Sequence, residues 1–448
     1  MDLMTHGGTA SESRFAAYVE ALSSAVGHAD RKAPLKAYCT GLLLPGERKS
    51  VEPMAARVAP GRVQAAHQSL HHFVAKAEWS EEAVLAVVRA QVLPVLERQG
   101  AIRAWIVDDT GFPKKGTHSV GVARQYCGQL GKQDNCQIAV SLSVANDHAS
   151  LPIAYRLYLP ASWANDADRR AKAGIPEDVV FRTKAEIALD QIRAALAASV
   201  PPGVVLADAG YGIDTAFRSG LTQMGLTYVV GIQSSMSLWP PGMQPLPPKA
   251  WSGRGRPPSL VRHPAHKPTS ATELAQALPV EAWHGVTWRE GTHAPLTSRF
   301  AAVRVRPAHR DYWRSAPRPE EWCLIEWPEG ESEPTKYWLS TLPQETRLAD
   351  LVDQAKLRWR IERDYQELKQ EIGLGHYEGR GWRGFHHHAT LAIAAYGFLV
   401  SERSLISPSA SPPAPLFKAP RLPKSYRPRG AAAPSRTPRR QLDHHHPH

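Results

Sequence analysis

The sequence predicts an α/β fold in which a mixed β-sheet is flanked by helices. Apolar runs at 104–111 and 204–212 each end in an acid and a glycine turn, which indicates strands that carry acids to one sheet edge. Residues 1–100 show helical periodicity, and a charged helical pattern from Asp350 to Gly375 follows a stretch rich in proline and glycine. We therefore expect an N-terminal helical domain, then the sheet, and a β-rich insertion before the last charged helix.

Size and charge limit the class of protein. A chain of 448 residues is long enough for two or three domains, and 43% hydrophobic residues allow a sizeable core. Lysine and arginine exceed aspartate and glutamate by 54 to 42, and this net charge of +12 favours a polyanionic partner. The four cysteines have neither zinc-site nor disulfide spacing, and no apolar run is long enough to span a membrane. A reduced, cytoplasmic protein is expected.

Residues 1–100 are predicted to form several helices with breaks at Pro45-Gly46 and Pro53. The basic residues of this region suit contacts with duplex DNA. The alternative is a helical cap on the core, and the sequence does not decide between the two. The basic residues are Arg31, Lys32, Lys36, Arg48, Lys49, Arg57 and Arg62.

The core is predicted to comprise residues 101–233 and 335–402. Its order is a strand into Asp108-Asp109, a hairpin around an Asp147-His148 turn, a helix over 181–198, and a strand into Asp208. A helix from about Thr215 and a further strand follow. This β-β-β-α-β-α-β order fits an RNase H-like mixed sheet.

Residues 234–334 are predicted to be a β-rich insertion, because short alternating runs lie between proline- and glycine-rich segments. Eight of the 13 tryptophans fall between Trp239 and Trp338. Residues 403–448 are predicted to be a disordered basic tail, since ten prolines and eight basic residues lie among its last 43 positions.

The segment from Asp350 to Gly375 is predicted to be one helix. Arg358, Glu362 and Lys369 are spaced to project from one face, and Gly373 supplies a stop. A carboxylate between two cations suits metal binding near phosphates. The alternative is a surface helix with ion pairs four residues apart. A second stripe of this helix is apolar and expected to be buried; it comprises Leu351, Ala355, Ile361, Tyr365 and Leu368.

Three acids far apart in sequence are candidates for one metal site: Asp108, Asp208 and Glu362, separated by 100 and 154 residues. Three acids on adjacent elements can hold two divalent ions about 4 Å apart, the geometry for in-line phosphoryl transfer. Asp109 is the alternative first acid, and a regular strand points it to the opposite sheet face. We favour Asp108.

These motifs resemble those of bacterial insertion-sequence DDE transposases of the IS-four and IS-seven-hundred-one groups, whose core is RNase H-like. The D-x-T motif is present as Asp108-Asp109-Thr110, and the D-x-G-[YF] turn as Asp208-Ala209-Gly210-Tyr211. Arg358, Glu362 and Lys369 match the helix motif, whose tyrosine position holds Ala355 here. The stretch 110–146 is also similar, and the resemblance covers roughly residues 65–400.

The resemblance implies a transposase that binds the terminal repeats of its element, cleaves them and joins the 3′ ends to target DNA. It implies a homodimer, two Mg²⁺ or Mn²⁺ ions, and work on nucleoid DNA in the cytoplasm. The implied catalytic residues are Asp108, Asp208 and Glu362, with Asp109 as a further possible metal ligand. The implied DNA contacts are Arg358, Lys369, Lys114, Lys115 and Trp288.

Two other functions fit the same residues: a nuclease of this fold without strand transfer, and a domesticated DNA-binding protein without catalysis. Trp283 and Trp288 are candidates to stack a displaced base, although a tryptophan in a small β domain more often packs in the core. The triplet from His386 to His388 suggests a metal cluster, but three adjacent helical positions cannot face one ion. We expect these histidines to pack at a helix start.

Overall fold

The computed structural model describes residues 3–255, 257–289 and 295–405, with side chains from residue 10 onward. The predictions for the tail after residue 405 lie outside these ranges. The helices are α1 Leu3–Ser23, α2 Lys32–Leu43, α3 Val51–Val58, α4 Val63–Ala75, α5 Glu81–Gln99, α6 Ala161–Ala164, α7 Ala167–Ala173, α8 Lys184–Ala197, α9 Ala209–Gly212, α10 Thr215–Gln223, α11 Ala271–Ala277, α12 Leu348–Lys356, α13 Trp359–Glu367 and α14 Trp382–Leu405. The strands are β1 Ala104–Pro113, β2 Ala123–Cys127, β3 Lys132–Ala145, β4 Ser150–Leu157, β5 Val204–Ala207, β6 Tyr228–Ile232, β7 Ser237–Trp239, β8 Thr269–Ser270, β9 His284–Arg289, β10 Leu296–Pro307, β11 Glu321–Trp327 and β12 Lys336–Ser340.

The predicted α/β class, a mixed sheet flanked by helices, is confirmed. The sheet has the strand order β2-β3-β1-β5-β6-β12-β11-β10-β7-β8, with β4 paired to β3 and β9 paired to β10. The strands β1, β5 and β6 are parallel to one another, and the other pairings are antiparallel. Their side chains are almost all buried because helices cover the sheet, as the continuous apolar runs predict.

The strands of segment 234–334 continue this same sheet. β11 pairs with β12 along five residues, and β10 pairs with β11 along seven. Trp239, Phe300 and Cys323 are fully buried, which is consistent with alternating inward positions in these strands. Segment 234–334 therefore extends the sheet beyond β12, which itself pairs with β6.

The charged segment after β12 is not one continuous helix, so that prediction was wrong. α12 ends at Lys356 and α13 begins at Trp359, because the amides of Arg360 and Ile361 bond to carbonyls only three residues back, which tightens the turn there. A π-helical turn over Leu368–Ile372 follows, and Gly373 at φ +83° ends the segment. The apolar stripe predicted for this segment is buried as expected.

The N-terminal helices pack on α14, whose residues are buried over nearly its whole length. The Tyr18 hydroxyl donates to the Ala394 carbonyl at 2.9 Å. Lys49, only 3% exposed, donates its ammonium to the carbonyls of Leu42 and Glu371, the second of which belongs to the π-helical turn. One continuous apolar core thus joins the N-terminal helices to α14 and the sheet.

The three histidines near the start of α14 are buried and bonded to the protein, as predicted. His386 contacts the Trp382 carbonyl and the Leu157 amide, and His388 contacts the Tyr38 hydroxyl. No helix within the described ranges is long and apolar enough to cross a membrane.

Candidate active site

The first two candidate acids are neighbours across the parallel strands. β1 and β5 pair up to Ile106 and Leu206, and each acid lies two residues beyond that pair. Neighbouring strands are about 4.8 Å apart, so equivalent positions of Asp108 and Asp208 are brought side by side. β1 itself continues to Pro113 against β3, and Asp108 therefore lies inside a strand rather than at its end.

Asp208 begins the tight turn after β5. Its Oδ1 accepts from the amides of Gly210 at 2.9 Å and Tyr211 at 3.4 Å, so the carboxylate caps the short helix α9. A Cβ at Gly212 would lie 1.9 Å from the Gly231 carbonyl oxygen on β6. This position therefore has no room for a side chain, and the turn lies directly against the sheet.

Asp108 is buried and ion-paired. Its Oδ2 lies 2.9 Å from Nη2 of Arg358. Burial raises the pKa of Asp108 to about 6; the Arg358 guanidinium opposes this rise, whereas the negative charges of Asp208 and Asp109 add to it. The Asp108 carboxyl is therefore shielded from water and close to two other negative charges, and both conditions disfavour its ionised form.

The Arg358 guanidinium interacts electrostatically with all three predicted acids. Burial lowers the pKa of its guanidinium, but Asp108, Asp208 and Glu362 together raise it above the ordinary value. Nη1 of Arg358 lies 3.9 Å from Oε1 of Glu362, four residues along the chain. The structure therefore brings Asp108, Asp208 and Glu362 around one cationic side chain.

Asp109 points to the other side of β1, as the strand alternation predicts. Its carboxylate pairs with Lys184, the first residue of α8. Thr183 and Glu186 form a capping box that fixes where α8 begins, and so fixes Lys184. Lys184 was not among the predicted site residues, although it stands beside a strong capping signal in the sequence.

A groove of about 830 Å³ opens beside Asp208. Glu362 lies on its wall, and 71% of its side chain is exposed. Arg358 reaches the groove from the turn between α12 and α13, so the pair from this segment faces the same space as Asp208. Aromatic and basic residues line the rest of the groove: Trp288, Arg289, Lys336, Tyr337, Trp338, Lys356, Trp359 and Arg363.

Trp288 lines this groove, whereas Trp283 packs edge-on against Trp327. The Trp288 ring is half-buried, meets Phe300 edge-on and lies 4.1 Å from Nζ of Lys356. Trp288 therefore has both a packing contact and a surface facing the groove.

Trp359 lines the groove but was not among the predicted site residues. Its ring lies 4.1 Å below the guanidinium of Arg289, which comes from β9. No spacing signal connects these two positions, because β9 reaches the groove only through the strand pairing of the insertion.

Apart from Arg358, the predicted basic contacts lie in two other places. Lys369 reaches back to β1, where its Nζ donates to the Gly111 carbonyl at 2.9 Å and to Gln129 Oε1 at 3.2 Å. Lys114 and Lys115 lie in a second pocket, together with Arg48. Burial lowers the pKa of Lys369 and of Lys114.

The three candidate acids are not arranged as a complete metal site in this structure. Within residues 3–255, 257–289 and 295–405, no group of three His, Cys, Asp or Glu side chains is arranged to hold a metal ion. The guanidinium of Arg358 stands between Asp108 and Glu362. The donor chemistry nevertheless fits a hard divalent cation, because the carboxylates of Asp108 and Glu362 contact one guanidinium and Asp208 lines the same groove as Glu362.

A family profile, the DDE superfamily endonucleases, matches residues 21–295, more than half of the chain. The chain belongs to this superfamily. The residues of this chain that match the family profile include Asp108 and Asp208 and end before α12. The chain is also 32% identical over 169 residues to a probable transposase for insertion sequence element IS701 from Microchaete diplosiphon. That alignment covers 38% of this chain and 41% of the relative, so the chain matches less than half of that protein's length.

The comparisons confirm the resemblance inferred from the sequence motifs. Endonucleases of the DDE superfamily generally use divalent metal ions, which agrees with the carboxylate donor set of this DDE chain.

Proposed function

We propose that this DDE superfamily protein is a transposase that binds the terminal repeats of an insertion sequence, cleaves them and joins the 3′ ends to target DNA. One observation supports this most directly: Arg358 lies 2.9 Å from Asp108 and 3.9 Å from Glu362, and it lines an open groove together with Asp208 and Glu362. Family membership and the similarity to a probable transposase add to this argument.

We propose Asp108, Asp208 and Glu362 as the metal ligands, with two Mg²⁺ or Mn²⁺ ions. Asp109 is the less suitable ligand because it faces Lys184 on the other side of β1. The chemistry that such ions supply is activation of a water or a DNA 3′-hydroxyl and stabilisation of the leaving 3′-oxygen. Arg358 balances the crowded carboxylates in the structure, and its guanidinium must turn from Asp108 before that carboxylate can ligate a cation.

The basic side chains are proposed to position DNA. Arg358 offers two parallel donors to a phosphate once it leaves Asp108, whereas Lys369 offers a single charge held against β1. Lys114 and Lys115 would contact the backbone from the pocket they share with Arg48. Trp288 would stack on a base that enters the groove, an interaction worth roughly 1–3 kcal/mol per base.

We also propose that the N-terminal helical domain, residues 1–100, binds the terminal repeats, and that two protomers hold two element ends together. The exposed basic residues Lys32, Lys36, Arg48 and Arg62 support the first point, whereas Lys49 is buried and unavailable to DNA. The remaining domain limits stay those expected from the sequence: a core of 101–233 and 335–402, an insertion of 234–334 and a tail of 403–448.

Replacing Glu362 by Gln tests the proposal. The variant keeps size and hydrogen bonding but removes one carboxylate, so Mg²⁺-dependent cleavage of a labelled duplex bearing the element ends should disappear while binding to that duplex persists. Glu371→Gln is the matched control, because Glu371 is also an exposed acid of the same segment. Unchanged cleavage by the Glu362 variant would refute the assignment.

The reaction products distinguish this proposal from two alternatives, namely a nuclease without strand transfer and a DNA-binding protein without catalysis. Incubation with labelled ends and a target plasmid yields joined molecules only if the protein transfers strands, and yields only shortened ends if it is a nuclease. A folded sample that binds the ends but shows no Mg²⁺-dependent activity would indicate a DNA-binding protein without catalysis.

A further inference from the structure

A basic turn connects β10 and β11 and is used by none of the roles above. Residues 306–319, here called the arginine turn, carry four arginines against one aspartate. Of these, Arg306 is paired with Glu320 at 3.3 Å, whereas Arg310 and Arg314 are exposed at the tip of the turn. The turn therefore presents strong positive charge in a short stretch of chain.

Exposed aromatic rings hold two guanidinium groups at this turn. Trp313 and Tyr312 are 55% and 43% exposed, which is unusual for such large rings. The guanidinium of Arg310 lies 5.0 Å from the Trp313 ring, and that of Arg262 lies 5.2 Å from the Tyr312 ring. A guanidinium lying over a ring keeps its edge donors available, so the Trp313 ring orients Arg310 without using its hydrogen-bond donors. Arg262 instead donates to Asp311 and to the Ala308 carbonyl.

The one acidic residue of the arginine turn, Asp311, is buried. Asp311 is 1% exposed, and its oxygens accept from Trp239 Nε1 at 2.6 Å and from Arg262 Nε at 3.0 Å. The charge of Asp311 is therefore neutralised inside the protein. Burial lowers the pKa of the neighbouring His309, and the charges of Arg310, Arg218 and Arg318 lower it further, which indicates a positive local field.

Arg310 is also held in a strained backbone conformation. Its φ of +56° lies in the left-handed region, where a side chain with a Cβ is disfavoured and glycine is not. The other non-glycine residue with positive φ within the described ranges is Ser199. An arginine kept where glycine would fit better suggests that its side chain is needed.

The arginine turn and the groove lie at opposite ends of β10. Leu296 lines the groove, and Pro307 is eleven residues further along the strand, at most about 36 Å away at 3.3 Å per residue. One helical turn of duplex DNA is about 34 Å long. A duplex that enters the groove can therefore also reach the arginine turn.

We propose that the arginine turn binds the sugar–phosphate backbone of duplex DNA beyond the segment held in the groove, without reading its sequence. Arg310 and Arg314 make the phosphate contacts, and Trp313 keeps Arg310 oriented. This inference rests on the proposed function in one respect only, namely that DNA is the partner.

The test measures the salt dependence of binding by the full chain to a 40-base-pair duplex of arbitrary sequence. Removing one cation that neutralises a phosphate makes the slope of log K against log salt shallower by about 0.9. The double variant Arg310→Ala/Arg314→Ala should therefore flatten the slope by about 2. The matched control, Lys172→Ala/Arg193→Ala, removes the same charge from exposed positions in α7 and α8, to which no DNA contact is assigned, and should leave the slope unchanged.

A second variant separates binding from folding. Arg310→Gly relieves the strained φ, so the Tm should be unchanged or higher while DNA affinity falls. A lower Tm with unaltered affinity would show that Arg310 is structural and would overturn the inference, as would slopes that coincide for the wild type and the double variant.

Cleavage measured in parallel distinguishes this inference from the proposed function. If the wild type fails to cut the element ends yet the double variant still flattens the slope, the transposase assignment fails and the arginine turn stands.

Discussion

Acid should destabilise this protein through two histidines of α14, His386 and His388, and the size of the effect follows from their hydrogen bonds. His386 Nε2 accepts from the Leu157 amide while Nδ1 faces the Trp382 carbonyl, and His388 Nδ1 lies 2.9 Å from the Tyr38 hydroxyl. Each ring is therefore fully bonded in its neutral form. Burial lowers the pKa of both from 6.5 to about 4.

The sign follows from proton linkage. At pH 8 both histidines are neutral in the folded and unfolded chains, so they have no effect on stability. Between pH 6.5 and 4 the unfolded chain binds protons that the folded chain does not, and the free energy of unfolding falls. At pH 5 the loss is about 2 kcal/mol per histidine, or about 4 kcal/mol for the pair, against a typical total of 5–15 kcal/mol.

Urea denaturation of the wild type and of His388→Gln, each at pH 8 and pH 5, isolates the part due to His388, because the opposite contribution of Asp108, whose pKa is raised to about 6, is common to both proteins. His388→Gln should be less stable at both pH values, because the Tyr38 contact changes, but the difference between the two pH values should shrink by about 2 kcal/mol. His72→Gln is the control, since His72 is exposed on α4. If His388→Gln keeps the full pH dependence of the wild type, the argument from buried neutral rings is wrong.

Four further outcomes are expected. Gly212→Ala should destabilise the protein by about 3 kcal/mol and reduce cleavage, because the new Cβ meets the Gly231 carbonyl; thermal unfolding and cleavage assays check both, and a normal Tm would contradict the packing. Thr183→Ala should cost about 1 kcal/mol in urea denaturation through loss of the α8 cap, and no loss would show that the cap is dispensable. Lys356→Met should cost about 3–5 kcal/mol by leaving buried Glu326 unpaired, and the double variant with Glu326→Leu should recover at least half; failure to recover would place the cost elsewhere. Chelation with EDTA should stop cleavage, and added Mg²⁺ should restore it, whereas activity that persists in EDTA would exclude the proposed ligands.

The strands were predictable because their signals are local. The runs into Asp108 and Asp208 are apolar and β-branched, and both became neighbouring parallel strands in which each acid lies two residues beyond the last shared pair. The face shared by Arg358 and Glu362 also followed from helical spacing, since four residues make about one turn. These features depend on period and short-range geometry, which a single sequence contains.

The break between α12 and α13 was not predictable, because it depends on partners from other elements. Arg358 lies at that break and is held by Asp108, 250 residues earlier in the chain. The roles of Lys184 and Arg289 also depend on contacts that form only after β1 and the strands of the insertion have found their places. Long-range contacts of this kind leave no periodic trace in the sequence.

The buried ammonium of Lys49 has a consequence for dissecting the protein. It joins the loop after α2 to the Glu371 carbonyl, nine residues beyond Glu362, while the neighbouring helices form the wall over α14. A fragment that starts at residue 101 would lack these helices. α14 would then be exposed, and the Glu371 carbonyl would lose Lys49 as its hydrogen-bond donor. We therefore expect such a fragment to fold poorly, because the N-terminal helices cover α14 and Lys49 donates to the π-helical turn that follows α13.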